Sequence, residues 1–151
     1  MAEMNETAFL AFLKRSQAVI SAEIEKGLKE GAKDLQQAAK DEIGTYQTED
    51  MGGAAPWAEL ADSTKEDRVR HGFPENEPGR RSGEMADSYS AGAEGMKITL
   101  GSTSDKAKWF EDGTPTQPPR SVIIPALFRN DEQITKRIAL RITRALAGRN
   151  P

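Results

Sequence analysis

The chain has 151 residues, 21 Lys and Arg against 24 Asp and Glu, a formal net charge of −3, and 36% hydrophobic against 30% charged residues. That is the length of one domain, with a modest core and a highly charged surface, a shortage that small proteins commonly make up by oligomerising. The lack of cysteine excludes a disulfide framework, a thiolate metal site and a cysteine nucleophile, and a single histidine, His71, excludes a multi-histidine metal centre and argues against a His-dependent triad.

No apolar run reaches the ~18–20 residues of a membrane span, and Glu3 and Glu6 stand where a signal peptide carries basic residues. The expectation is synthesis in the cytoplasm, with no membrane partner.

Residues 1–44 read as one long helix. Phe9, Leu13, Ile20, Ile24, Leu28 and Leu35 recur at spacings of four and seven and draw one apolar stripe. Asn5, or alternatively Thr7, caps its start, and Gly44 stands where a glycine ends a helix. Gly27 and Gly31 share a face with Ile20 and Ile24. Either they are a weak spot or bend, at ~1 kcal/mol each, or a neighbouring element approaches closely there. At ~1.5 Å per residue this helix is a rod of roughly 55 Å, against about 40 Å across for a compact globule of this size. It therefore either breaks near Gly27–Gly31 or packs its end on another subunit.

Residues 45–83 are punctuated by Gly52, Gly53, Pro56, Gly72, Pro74, Pro78, Gly79 and Gly83, the mark of an irregular loop with room for one or two short helical turns at 56–60 and 62–68. Residues 41–67 hold eight acids and one base, Lys65, the pattern of a solvated face. Trp57 and Phe73 need burial, so this loop is expected to be mobile in the isolated subunit and ordered by a neighbour.

Residues 84–128 predict a small antiparallel sheet. Met96, Ile98 and Leu100 alternate with Lys97 and Thr99, a half-buried strand, and Ser88–Ala91 pairs with it across a three- to four-residue loop at Gly92–Gly95. Residues 105–112 make a helical turn with Trp109 and Phe110, which are expected in a core or a subunit interface. Glu111 to Thr114 are expected to form a structural turn. Gln117–Arg120 is held extended by its prolines, and Ser121-Val122-Ile123-Ile124 reads as a third strand that Pro125 stops.

Residues 129–151 predict a C-terminal amphipathic helix and tail. Asn130 caps it with Gln133 three residues on, Ile134, Ile138, Ile142 and Leu146 recur every four, and Gly148 ends it. From Arg129 to Arg149 there are six basic residues and two acids, with Lys136, Arg137, Arg141 and Arg144 off the apolar stripe. Such a helix suits a solvated face, an acidic protein surface, nucleic-acid phosphates or a membrane surface. The acidic stretch 41–67 offers the opposite charge, and the two regions are expected to meet across a subunit interface. The fold class is α+β in a single domain, 1–151, since helix and strand are segregated along the chain.

Little here carries chemistry. Glu111-Asp112 beside two aromatics is the best-placed perturbed acid. Asp62, Glu66 and Asp67 lack EF-hand spacing, no serine sits in a nucleophile elbow, and Gly92–Gly95 lacks the Lys-Ser/Thr of a phosphate loop. The reading is a non-enzyme without metal or cofactor.

From Trp57 onward the order of short motifs resembles the tail-completion, or minor tail and neck, proteins of tailed bacteriophages. Trp57 precedes Leu60, Ser63-Thr64 and Arg68. Arg81-Ser82-Gly83-Glu84-Met85-Ala86-Asp87-Ser88 is similar to the family's lead into a strand, and Trp109-Phe110-Glu111-Asp112-Gly113-Thr114 to its aromatic, Glu, Gly-Thr segment. Pro118-Pro119-Arg120-Ser121-Val122 and Pro125-Ala126 resemble its proline-arginine strand and the opening of its closing helix. Departures are Ala107-Lys108 in place of Tyr-Ala, and Val122-Ile123 in place of an aromatic. The resemblance implies a virion structural protein joining head to tail, a self-assembled ring, hexameric in the family. Its partners would be the tail tube or terminator and the neck or connector, with double-stranded DNA passing through the lumen without sequence-specific binding. The site would be the virion, reached from the host cytoplasm during assembly. Candidate assembly contacts are Trp57, Trp109, Phe110, Glu111, Arg120, Arg137 and Arg141. The alternative is an accessory protein that binds nucleic acid through the basic C-terminal helix.

Overall fold

The computed structural model describes residues 5–148; Glu3 and Arg149, which entered the reading of the termini, lie outside them. Seven elements follow one another: α1 (Glu6–Glu42), α2 (Asp62–Arg70), α3 (Glu84–Asp87), β1 (Tyr89–Glu94), β2 (Lys97–Ser102), α4 (Asp105–Asp112) and α5 (Ile123–Ala147). The class is α+β, with a long N-terminal helix, a two-stranded antiparallel sheet and a C-terminal helix.

Helix α1 runs unbroken for 37 residues, about 55 Å. Asn5 starts it, its Oδ1 accepting the Ala8 N–H at 2.8 Å. After the extended Ile43, Gly44 takes φ +100°, a turn strained for any side chain. Gly27 and Gly31 do not bend the helix; they let α5 lie against it. A Cβ on Gly27 would stand 2.6 Å from Ile138 Cγ1, and one on Gly31 2.8 Å from Ile134 Cγ2. Gly27 facing Ile138 and Gly31 facing Ile134 also fix the direction: α5 runs antiparallel to α1.

Strands β1 and β2 pair from Tyr89↔Ser102 to Glu94↔Lys97, so the turn is Gly95-Met96. The expected loop at Gly92–Gly95 is corrected: Gly92 to Glu94 stay in the strand, because Tyr89, Ala91 and Ala93 alternate inward with exposed Ser90, Gly92 and Glu94. The hairpin packs on α1, with Ile98 beside Gly31 and the Gln36 amide donating to the Tyr89 carbonyl at 3.2 Å.

The third strand is also corrected. Ser121 and Val122 lead directly into α5, and Pro125 is its third residue. Proline is tolerated in a first helical turn, where its missing N–H has no intrahelical partner. Asn130 is therefore not a cap; it sits inside α5, its side-chain amide donating to the Ala126 carbonyl at 2.8 Å.

The core gathers where α1 ends and α5 begins. Ala39, Ile43, Trp57, Tyr89, Phe110, Val122 and Ala126 form one buried cluster. Tyr89, Ile43 and Val122 are fully enclosed, which is worth ~1.5–3 kcal/mol for each large side chain removed from water.

Candidate assembly surface

Four of the seven candidate residues lie together and form the internal frame of one subunit. Trp57 is buried and meets Phe110 edge to face, ring centres 5.2 Å apart, while its indole N–H donates to the Ser121 carbonyl at 3.1 Å. Arg120 is also buried. Its Nε and Nη2 donate to the Ala58 carbonyl at 3.0 and 2.8 Å, and Nη2 reaches the Glu59 carbonyl at 3.2 Å. The guanidinium stands 5.8 Å from the centre of the Phe110 ring. Burial lowers the Arg120 pKa, though an arginine starts so high that the charge remains.

Glu111 has a structural use. Its Oε1 accepts the N–H groups of Val122 at 2.9 Å and Ile123 at 2.7 Å. A carboxylate at a helix N-terminus satisfies orphan donors and meets the positive end of the helix dipole. Helix α5 has no side-chain cap of its own, so α4 supplies one. Glu111 and Asp112 close α4, Gly113 turns out at φ +73°, and Thr114 bridges to Gln117.

Of the two places expected for Trp109, the core of its own subunit is not where it lies. It is 55% exposed while Phe110 beside it is buried. Consecutive residues of a helix point about 100° apart, so the one face of α4 that meets the core encloses Phe110 and not Trp109. Trp109 overhangs an open cleft of about 430 Å³, lined also by Leu60, Arg68, Met85, Phe110 and Arg120.

The loop 45–83 packs within the subunit. Trp57 is buried in the chain's own core. Arg68, buried, brings Nη1 within 3.2, 2.8 and 3.1 Å of the Pro74, Glu77 and Arg80 carbonyls. Phe73 lies under the Arg81 guanidinium at 4.7 Å. Composition marked the loop, but no periodic pattern tells that one of its own cations, Arg68, gathers three of its carbonyls.

Arg137 and Arg141 are matched inside the chain. Arg137 bonds Asp34 at 2.5 Å, and Arg141 reaches both Glu23, at 3.2 Å, and Glu30. Arg129 pairs with Glu42. The counter-charges of Arg137 and Arg141 thus stand on α1 of the same chain rather than in residues 41–67, and among the described residues the pair joining those two regions, Arg129–Glu42, is internal. The hydrogen bonds from Arg141, and for Glu23 foremost the one from Lys26, hold the Glu23 and Glu30 carboxyls below their usual range. Burial pushes Glu42 up despite Arg129.

Two apolar surfaces stay exposed at opposite ends of the subunit. Helix α5 ends at Ala147, and with Gly27 opposite Ile138 that end stands level with about residue 18 of α1. The first dozen residues of α1 extend beyond it, ~18 Å of helix. Phe9, Leu10, Phe12 and Leu13 on that arm are 38–49% exposed. At the other end of the molecule Ile124, Leu127 and Phe128 are exposed on the first turns of α5, Phe128 by 58%.

Among the described residues no group of His, Asp or Glu side chains could hold a metal ion, and no helix is long and apolar enough to cross a membrane. No family model, curated protein or solved structure matches this chain.

Proposed function

We propose that this chain is a structural protein of a tailed-bacteriophage virion that assembles into a ring at the head–tail interface. The observation that carries the reading is the pair of apolar surfaces at opposite ends of a subunit whose core and many of whose charges are matched internally. Such ends suit a chain completed by neighbours, and the motif order from Trp57 to the closing helix supports the phage context. The competing reading, a nucleic-acid-binding accessory protein, would use the basic face of α5. Arg137 and Arg141 there are already engaged by carboxylates, which weakens that reading.

Two measurements test the proposal. Mass spectrometry of tailed particles released by a strain carrying the gene should find the chain in the particle fraction. Electron microscopy of the concentrated protein should show annular particles, with duplex DNA bound only weakly and without sequence preference. Absence from particles, or a monomer that binds DNA tightly, would overturn it in favour of the accessory role.

A further inference from the structure

We infer that the N-terminal arm of α1 docks on the Ile124–Leu127–Phe128 patch of a second copy of this chain, head to tail. The inference rests on the ring reading for closure of the assembly and adds the contact on which that assembly is built.

The stripe on the arm continues the surface that packs on α5. Phe9 and Leu13 lie in line along the helix with Ile20, Gly27 and Gly31, and the last two of these touch Ile138 and Ile134. The arm therefore presents a face already shaped to receive a helix, at a height α5 does not reach. Residues 124–128 are helical; Ile124, Leu127 and Phe128 are exposed there, with Pro125 and Ala126 turned inward, beside the chain reversal at Met51–Ala54, and Gly52 lies against Ile124 and Phe128. A helix face and a helix-and-turn surface can be complementary without resembling one another.

The two surfaces cannot meet within one chain. They stand at opposite ends of the hairpin that α1 and α5 make, and α1 alone is about 55 Å long. Contact has to be between copies. A contact that joins two different patches is heterologous, and its repetition gives a ring where the rotation closes and a filament where it does not.

Charge favours the same pairing. The arm's apolar block lies between exposed Glu6 and exposed Lys14, and it is the Lys14 end that meets an acidic rim. The patch is rimmed by exposed Glu49 and Asp50 on the adjoining turn and by Asp131 one helical turn along α5, while Glu132 beside it is already paired with Lys136. The nearest cation, Arg129, is held by Glu42. Opposite rims steer and orient the encounter while the apolar centre supplies the affinity. Pairing arm with arm would leave the patch and its acidic rim uncovered; pairing arm with patch covers both.

The chain has no cysteine, so single thiols report the contact directly. Leu13→Cys and Leu127→Cys are both at exposed sites and should keep the wild-type melting temperature. Mixed and oxidised, they should give a disulfide-linked dimer, while each alone stays largely uncrosslinked. The double variant should give a ladder of higher multimers. As a second measurement, Phe9→Glu and Phe128→Glu should each raise the concentration needed for assembly by at least about tenfold, and their mixture should stop at a one-to-one dimer, since only one intact arm and one intact patch meet. A dimer from Leu13→Cys alone would show arm-to-arm pairing and overturn the inference. So would a wild-type oligomer whose mixed thiols do not cross-link, or a wild-type chain that stays monomeric at high concentration. Failure of the two readings is told apart: cross-linking without incorporation into particles removes the virion role alone, and incorporation without cross-linking removes this contact alone.

Discussion

Arg120 and Phe110 show how one charged and one aromatic side chain can hold a loop-rich region together. The guanidinium donates to the Ala58 and Glu59 carbonyls and lies over Phe110, and the Phe110 carbonyl accepts the Arg120 backbone N–H at 2.7 Å. Segments some sixty residues apart in sequence are thereby joined at one point. Adjacent residues of α4 then differ widely in what their loss costs. Phe110→Ala should cost about 3–5 kcal/mol, because it empties a buried site against Trp57. Trp109→Ala should cost less than about 1 kcal/mol in the isolated subunit, since the indole is more than half exposed. Chemical denaturation of the two variants checks this, and equal losses would contradict it.

The α1–α5 pair is a close-packed antiparallel helix pair whose approach is set by glycine. Replacing Gly27 by a larger residue gains helix propensity of up to ~1 kcal/mol, but the added atoms meet Ile138 Cγ1 well inside contact distance. Gly27→Leu should therefore lower stability by about 1–3 kcal/mol. Ile138→Ala opens the opposing space at its own cost, so the Gly27→Leu/Ile138→Ala double variant should lose clearly less than the sum of the two single losses. Simple additivity in a double-mutant cycle would contradict direct packing between these positions.

For the whole molecule, the ion pairs between α1 and α5 make stability depend on pH with a sign that can be worked out. Glu23 and Glu30 are held below the ordinary carboxylate value of 4.5. Their contribution is whole above that value and is lost as pH falls through their lowered values, because the unfolded chain takes up protons first. Glu42 acts in the opposite sense: burial favours its neutral form, so protonation on acidification partly offsets the loss. The melting temperature should thus fall as pH drops below about 4.5, and the Glu23→Gln/Glu30→Gln variant should show a shallower fall. A steeper fall in that variant would contradict the assignment. High salt should weaken the same half-buried pairs in part, while the buried cluster around Tyr89 and Val122 is indifferent to it.

Local chemistry was enough to determine the elements whose signals are local. The four- and seven-residue spacing, Asn5 and Gly44 specify α1 within the chain itself, as do the β2 alternation and the Ile134–Ile138–Ile142–Leu146 repeat of α5, because periodicity and capping act between near neighbours. Whether Gly27 and Gly31 bend the helix or admit a partner was open in the sequence and was decided by where α5 lies. The start of α5 was misread as a strand because Val122-Ile123-Ile124 is β-branched and Pro125 resembles a stop, while the carboxylate that caps this start comes from α4. The same holds for the charges. Composition showed that acids and bases were present in separate stretches, but pairing Arg141 with Glu23 and Glu30 depends on antiparallel register, a property of two helices brought together from opposite ends of the chain. Burial of Phe110 beside exposed Trp109 was likewise decided by the face that α4 turns to the core, since both residues carry the same hydrophobic signal in one dimension.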